Sequence, residues 1–223
     1  MDFGRGLGYM RQDSNWLVKT LLGSVLGLVP ILNFASVGYS MDVVRNVYRG
    51  RETPLPEWGE DFGQRLVRGF LALLIQVIYM LPLVLVVCGV AALGMAGTGA
   101  TTTDAPQASV SLVALCLVPL FFIVALFLGA LALVGQTRYA ISDNFVDALQ
   151  VGEVVSEFRS NFGRWMSVVG MAVAAGFAFA VFGLVTCGLG FFLGFYVSLA
   201  QSHWMAQAAR QASAGAGASP GMR

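Results

Sequence analysis

The chain has 223 residues, of which 57% are apolar and only 11% are charged, against roughly a quarter charged in an average soluble domain. This composition excludes an ordinary soluble domain, because the apolar residues would leave large patches facing water, and it is typical of a protein embedded in a lipid bilayer. The formal net charge of +1 excludes nucleic acid as a partner, because binding nucleic acid requires a concentrated basic surface.

Four stretches of the sequence lack Asp, Glu, Lys and Arg and are long enough to cross the roughly 30 Å hydrocarbon core of a bilayer as helices. The last stretch exceeds the length of one span, and we divide it at 183–190, where Gly and Thr lower the helix propensity. The stretches lie between Lys19 and Asp42, between Arg68 and Asp104, between Asp104 and Arg138, and between Arg164 and Arg210.

The sequence therefore predicts an all-α fold, a polytopic integral membrane bundle of about five or six transmembrane helices arranged as helical hairpins. A single membrane domain over 1–210 is followed by a disordered tail over 211–223. The helices are expected at about 15–29, 31–49, 63–96, 109–136, 165–185 and 189–209.

Two arrangements are open for the first stretch, because Pro30 cannot donate the backbone hydrogen bond that a continuous helix requires. It forms either a hairpin of two short helices or one proline-kinked span over 17–44. All 13 Lys and Arg residues lie in the two tails and in the segments 42–68 and 138–164, and the positive-inside rule places such segments in the cytoplasm. The chain must then turn back within the first stretch, so we favour the hairpin, with both termini cytoplasmic.

Two Gly-x-x-x-Gly pairs are spaced one helical turn apart, which lets neighbouring helix backbones approach closely. We predict helix packing within the chain at these glycines, in preference to a dimer interface. They are Gly23, Gly27, Gly190 and Gly194.

A surface amphipathic helix is predicted at about 143–159, because its apolar residues follow helical spacing. Its polar face carries Asp147, Glu153 and Glu157, and acidic residues do not favour binding to anionic lipid. We therefore expect this face to pack against the arginines of the 42–68 segment.

A polar cluster is predicted at the cytoplasmic boundary, formed by Asp42, Arg45 and Arg49. Asp42 and Arg45 are three positions apart, so they share a helix face, and an ionisable group at membrane depth is a functional candidate. The structural alternative is that these charges close the cytoplasmic face of the bundle, and we favour it.

No catalytic, cofactor-binding or metal-binding residues are predicted. Cys88, Cys116 and Cys187 lie in or beside apolar segments without the spacing of a metal or redox motif. The single histidine, His203, has no metal-binding partners nearby in sequence and precedes Trp204, which favours anchoring at the membrane interface. The uncharged cores hold no Asp or Glu for intramembrane catalysis, so we expect neither enzyme activity nor a cofactor.

A series of Gly, aromatic, Arg and Pro residues runs through the first third of the chain. Its most specific part is Gly38-Tyr39, then Arg45, then Leu55-Pro56-Glu57-Trp58, with Asn15-Trp16, Gly23 and Val29-Pro30-Ile31 before it and Gly69 after it. Asn161, Thr186-Cys187-Gly188 and His203 continue the pattern in the second half. On these residues the chain resembles, over most of its length, a prokaryotic membrane-protein family catalogued as domain of unknown function 4013. The resemblance implies a polytopic membrane protein without an assigned activity, and it supplies no catalytic or ligand-binding residues.

We expect a non-enzymatic scaffold or interaction protein of the cell membrane. Its partners would be the lipid bilayer and either a second copy of the chain, as a homo-oligomer, or another membrane protein. The alternative is a transporter or channel-like carrier of a small or lipidic solute. A cavity that reaches mid-membrane and is lined by Asp42, Arg45 and Gln76 would favour transport, whereas a dry interior packed with Gly, Ala and Leu would favour the scaffold.

Overall fold

The computed structural model describes residues 8–51, 55–97, 107–185 and 191–217. Within these ranges the chain is all-α, as predicted, and contains no strand. A 3-10 helix at Tyr9–Gln12 precedes eight α-helices. In chain order these are α1 (Trp16–Leu28), α2 (Pro30–Tyr48), α3 (Phe62–Gly97), α4 (Gln107–Ser142), α5 (Phe145–Leu149), α6 (Val151–Ser160), α7 (Phe162–Val185) and α8 (Phe191–Gly217).

Three helices in the described residues are long and apolar enough to cross a membrane. The qualifying segments are Phe62–Ala92 of α3, Val118–Ser142 of α4 and Phe162–Leu184 of α7. α1 is apolar but has only 13 residues, which gives it a length of about 20 Å. α2 and α8 complete the bundle, and both carry polar side chains along much of their length. The helical membrane bundle is therefore confirmed, although its long helices are not equally apolar.

The first two helices form the predicted hairpin and not one kinked span. Val29, between them, has an extended backbone with φ −93° and ψ 119°. Pro30 is the first residue of α2, where its missing N–H costs no helical hydrogen bond. The hydroxyl of Ser36 in α2 donates to the carbonyl of Gly23 in α1 (2.9 Å), so the two arms lie side by side.

Five helix termini meet at one end of the bundle, which we call the basic end. There α2, α4 and α8 end, and α3 and α7 begin. Arg210 of α8 donates to the carbonyl of Val47 in α2 (3.4 Å), and Arg164 of α7 donates to the carbonyl of Gln211 in α8 (3.1 Å). The two arginine-rich connecting segments of the sequence therefore lie on the same side of the bundle.

The amphipathic segment lies at the basic end as two short helices, α5 and α6, and not as the single helix predicted. The break falls at Gln150, whose ψ of 75° lies outside the helical region. Tyr79 of α3 donates to the carbonyl of Ala148 in α5 (2.8 Å). Phe158 of α6 packs edge-on against Phe127 of α4, with ring centroids 5.7 Å apart. The apolar face of the segment therefore packs onto α3 and α4.

α4 continues to Ser142, beyond its predicted end at 136. The side chains of its last turns find partners within the bundle, as Gln136 does by donating to the carbonyl of Ala72 in α3 (3.0 Å). A polar side chain that is satisfied by a neighbouring helix does not end a membrane helix.

α8 continues to Gly217, past residue 211, where the sequence predicts a disordered tail. The alanine-rich sequence of its last turns has high helix propensity. Residues 98–106, 186–190 and 218–223 lie outside the described residues. The second of these ranges includes Gly190, one of the glycines predicted to pack between helices.

α2 and α3 cross in backbone contact at Gly38 and Gly69. A Cβ at Gly69 would meet the carbonyl oxygen of Phe34 and lie 2.7 Å from the nitrogen of Gly38. A Cβ at Gly38 would lie 2.8 Å from the carbonyl carbon of Arg65. Only glycine at both positions lets the backbones approach this closely.

The predicted Gly-x-x-x-Gly positions pack against side chains instead. Gly23 of α1 lies against the ring of Phe195 in α8, and a Cβ at Gly194 would lie 3.2 Å from the ring of Phe179 in α7. No atom lies closer than 3.8 Å to a Cβ at Gly27. Gly23 and Gly194 therefore make room for aromatic rings of neighbouring helices, whereas Gly27 has no such contact.

We predict that Gly69→Ala destabilises the protein by about 1–3 kcal/mol, because an overpacked contact forces the backbones apart. Gly89→Ala, on the same helix, is the matched control, since nothing lies within 4 Å of a Cβ there and alanine favours helix over glycine by about 1 kcal/mol. The free energy of unfolding in detergent, measured by circular dichroism during titration with dodecyl sulfate, distinguishes the two variants. Equal stabilities would contradict the crossing at Gly69.

Candidate functional site

A network of arginines and aspartates joins three helices at the basic end. We call it the arginine–aspartate network; its members are Asp42, Arg45, Arg65, Arg68 and Asp143. The Asp42 side chain, 11% exposed, accepts from Arg65 Nε at one carboxylate oxygen and from Arg68 Nη1 at the other, both at 2.9 Å. The only acidic side chain within α2 is thus neutralised by two arginines of α3.

Asp143, immediately after α4, extends the network to a third helix. Its Oδ1 accepts from Arg45 Nη2 at 2.6 Å and lies 3.4 Å from Arg68 Nε. Burial by itself would raise the pKa of Asp143, but the hydrogen bonds and positive charges of Arg45 and Arg68 outweigh it and lower that pKa. Arg45 Nε also donates to the carbonyl of Ala140 (2.8 Å), so the end of α4 is held to α2.

Arg65 is the most deeply buried arginine of the network, with 3% of its side chain exposed. Its guanidinium carbon lies 5.4 Å from the centre of the Tyr39 ring, a cation–π distance. Among the described residues, its Nη1 has no hydrogen-bond partner. Asp42 and the Tyr39 ring are therefore the groups that balance this buried charge.

The structure brings two of the three predicted cluster residues into this network. Asp42 and Arg45 do not pair with each other, because Asp42 faces α3 and Arg45 faces the end of α4. Arg49 is exposed at the end of α2, and no described ion pair includes it. The spacing along α2 located the charges correctly but carried no information on their partners in other helices.

The acidic face of the amphipathic segment has a different partner from the one predicted. Glu153 and Glu157 of α6 pair with Arg138 of α4 and not with the arginines of the 42–68 segment. Burial raises the pKa of Glu157, as does the charge of Glu153, against the opposing effect of Arg138. Because α4 continues to residue 142, Arg138 lies within a helix that α6 covers, and this explains the exchange of partners.

Lys19, near the beginning of α1, is also buried and paired. Its ammonium lies 2.7 Å from Asp13 and 2.7 Å from Glu57. Burial by itself would raise the pKa of the Asp13 carboxyl group. The hydrogen bonds to this group and the positive charge of Lys19 outweigh burial and lower the pKa. Trp58 donates to the carbonyl of Lys19 (3.0 Å) and stacks on Tyr39 at 4.3 Å, which joins the segment before α3 to the hairpin.

His203 is buried inside the bundle, and its expected anchoring at the membrane interface stays a prediction. Its ring stacks on Tyr9 with centroids 4.5 Å apart, and its Nδ1 lies 3.3 Å from the amide of Gln207. The Tyr9 hydroxyl donates to the carbonyl of Leu199 (3.1 Å). The 3-10 helix before α1 thus folds back onto α8.

A cavity of about 340 Å³ lies between the hairpin and the helices α4, α7 and α8, and we call it the central cavity. None of the described residues that line it is charged. Its wall consists of hydroxyls, amides, apolar side chains and glycines. The polar members are Ser24, Ser36, Ser40, Asn33, Gln136, Ser198, Gln201 and Ser202, and the apolar side chains are Val37, Met41, Phe179, Phe195 and Met205.

The amides of the central cavity retain unused hydrogen-bonding capacity. Among the described residues, no hydrogen bond is formed by the side chains of Asn33 and Gln201. Gln136 donates to the carbonyl of Ala72 and to Gln76 Oε1 (3.3 Å), which leaves its own oxygen available as an acceptor. Each such group adds a position where a bound molecule or water can form a hydrogen bond.

A second cavity, of about 310 Å³, lies on the other side of Gln201, between α3, α4, α7 and α8. Gln76 and Gln201 are its polar residues, and Ala, Gly, Leu and Val form the rest of its wall. Gln76 therefore does line a cavity, as anticipated for a transporter, whereas Asp42 and Arg45 are not among the described residues that line the central or the second cavity. The central and second cavities share Gln201.

A third cavity, of about 660 Å³, lies at the basic end beside α6. Its charged lining residues include Arg138, Glu153 and Glu157, which pair with one another. We therefore take the central cavity as the candidate functional site, because two of its lining amides, Asn33 and Gln201, form no hydrogen bond among the described residues.

Sequence reasoning missed the central cavity because its polar groups are neutral and come from four different helices. The sequence signal that was available is a serine repeat: Ser36 and Ser40 in α2, and Ser198 and Ser202 in α8, are each four residues apart. This spacing puts both serines of a pair on one helix face. Ser40 and Ser198 face each other with their hydroxyl oxygens 3.4 Å apart.

The fold and the site together define a polytopic helical membrane domain with an uncharged cavity between its helices. Residues 21–208 match the model of a family described as a protein of unknown function, DUF4013. The chain belongs to this family, and the resemblance found in the sequence is confirmed. No curated protein and no solved structure matches the chain.

We predict that Asp42→Asn lowers the free energy of unfolding by about 3–5 kcal/mol, the usual effect of removing one partner of a buried ion pair. The variant would leave Arg65 and Arg68 without a carboxylate on α2. Asp143→Asn is the matched control: its side chain is 49% exposed, and we expect an effect of about 1 kcal/mol or less. The same detergent unfolding titration measures both variants. A larger loss of unfolding free energy in Asp143→Asn than in Asp42→Asn would contradict the central position of Asp42.

Proposed function

We propose that this protein is a non-enzymatic, multi-pass protein of the cell membrane that holds a small or lipidic solute in the central cavity. The observation that carries the proposal is the presence of uncommitted amides, Asn33 and Gln201, facing a cavity inside the bundle. An amide left without a hydrogen bond in an apolar medium costs about 1–3 kcal/mol, and hydrocarbon cannot supply a partner. A solute or water with polar groups removes this cost.

The position of the cavity along the helices supports the proposal. Asn33 precedes Asp42 on α2 by nine residues, and Gln201 precedes Arg210 on α8 by nine residues; each separation corresponds to about 13 Å along a helix. If the charged residues lie at the membrane boundary, the amides lie near the middle of a hydrocarbon core of roughly 30 Å. The volume of about 340 Å³ is at the lower end of the range for ligand pockets, about 300–1,000 Å³.

A scaffold remains the second candidate function, favoured by the closure of the basic end. The arginine–aspartate network binds α2, α3 and the end of α4 together beside the cavity, which argues against an open channel. A scaffold, however, gains nothing from polar groups that are left unsatisfied in its interior. We therefore place solute binding first and a scaffold for a second copy or another membrane protein second.

We further propose that the basic end is cytoplasmic, with both termini on that side. The gathering of helix ends and arginines there, together with the positive-inside rule, supports this orientation. In a chain whose native cysteines are replaced by alanine, an impermeant maleimide added outside intact cells should label Thr102→Cys and leave Asp2→Cys unlabelled. Labelling of both positions would contradict the orientation and the paired first hairpin.

We predict that the central cavity is accessible to water, because its polar groups require hydrogen-bond partners. The test uses N-ethylmaleimide on Ser198→Cys in the chain without native cysteines. The thiolate is the reactive species, and an apolar environment suppresses it. Cys88, exposed on the apolar surface of α3, serves as the control in a chain that keeps this cysteine alone.

We expect Ser198→Cys to react at least about tenfold faster than Cys88, since only the cavity supplies the water needed to form a thiolate. Equally slow reaction at both positions would indicate a dry interior. That result would overturn solute binding and leave the scaffold as the better candidate.

A further inference from the structure

We propose that the solute is an uncharged amphiphile from the bilayer, a neutral lipid whose head group carries hydroxyl and carbonyl oxygens. This inference rests on the proposed function of the central cavity and specifies the class of molecule that the cavity accepts. Diacylglycerol is the simplest molecule with this chemistry. The argument depends on the charge of the wall, its hydrogen-bonding groups, its apolar side and its access.

The charge of the wall excludes ionic head groups. A phosphate or carboxylate requires Arg or Lys, and an ammonium requires a carboxylate or aromatic cage; the described lining has no charged residue. Asp42 is next to the lining residue Met41 in sequence, but Arg65 and Arg68 already occupy both of its oxygens. An ion placed in this cavity would therefore be buried without a partner, which costs several kcal/mol.

The hydrogen-bonding groups favour a head group that both donates and accepts. The hydroxyl of Ser202 already donates to a carbonyl of its own helix (2.9 Å), so its oxygen remains as an acceptor for a ligand hydroxyl. The side-chain amides of Asn33 and Gln201 have N–H groups to offer to a ligand carbonyl. A free hydroxyl next to an ester carbonyl satisfies both requirements.

The apolar side of the cavity accounts for the tail. Met41 and Met205 are flexible side chains that adapt to an irregular apolar ligand. Phe179 and Phe195 lie against the small residues Gly194 and Gly23, where a larger residue would displace their rings. A water-soluble polyol has no group that would contact this side, whereas an acyl chain does.

Access to the cavity also favours a molecule dissolved in the membrane. The arginine–aspartate network and the packing of Lys19 with Trp58 close the basic end. The second cavity shares Gln201 with the central cavity and lies between α3, α4 and α7, the three helices that are long and apolar enough to span the bilayer. A lipid can reach these helices directly from the surrounding membrane.

The test is native mass spectrometry of the full chain in detergent, with dioctanoylglycerol, dioctanoyl phosphatidic acid or glycerol added at equal concentrations. The protein is Ser198→Cys without native cysteines, measured before and after reaction with N-ethylmaleimide. The adduct fills the cavity after folding, so a folding defect cannot explain a loss of binding. The chain that keeps only Cys88, treated in the same way, is the matched control.

We expect one molecule of dioctanoylglycerol to bind per chain, at least about tenfold more tightly than either other probe. We expect modification of Ser198→Cys, but not of Cys88, to abolish this binding. Dioctanoylglycerol that stays bound after modification would lie elsewhere on the protein and would overturn the inference.

Two further outcomes separate this inference from the proposed function. If phosphatidic acid or glycerol binds more tightly and modification at position 198 removes it, the cavity holds a solute, but the class proposed here is wrong. If no probe binds although N-ethylmaleimide reacts rapidly with Ser198→Cys, the neutral-lipid inference fails and the wet cavity stands. If that cysteine is also unreactive, both proposals fall together.

Discussion

The burial of the Asp42 carboxylate between Arg65 and Arg68 is the interaction on which the rest of the bundle depends. A charge inside a membrane protein must be paired, so this contact holds α2 against the beginning of α3. The Gly38–Gly69 crossing lies on the same two helices and permits the close approach that the short ion pairs require. With α2 held in this way, its serine face points away from α3 toward α8, and the central cavity forms between them.

Much of the fold follows from local features of the sequence. Pro30 favours the beginning of a helix, because its missing N–H costs no hydrogen bond in the first turn. Proline alone does not decide this, since Pro82 and Pro119 lie inside α3 and α4, and the placement of the Lys and Arg residues was needed to predict the hairpin. The long uncharged segments predict α3, α4 and α7 by length. Helix ends were less predictable, because Gln136 and Arg138 look like terminating residues until their partners on α3 and α6 are known.

The candidate site could not be predicted to the same extent. Charged residues attract attention in an apolar sequence, and Asp42 and Arg45 do lie together, but they serve to close the basic end. The polar groups that line the cavity are serines and amides whose proximity depends on how four helices pack. The environment of Trp58 was equally hard to predict from sequence. Its position next to a membrane segment is typical of an interfacial residue, yet the indole stacks on Tyr39 in the interior.

The brevity of α1 has a consequence for the membrane itself. Its 13 residues cover about 20 Å, whereas α3 is long enough for the full hydrocarbon thickness. A bilayer adjusts to such a hydrophobic mismatch by thinning locally, at a cost of fractions of a kcal/mol per Å. Lipid beside the hairpin would therefore be compressed and less ordered, and the protein would partition into thin, fluid regions of the membrane in preference to thick ones.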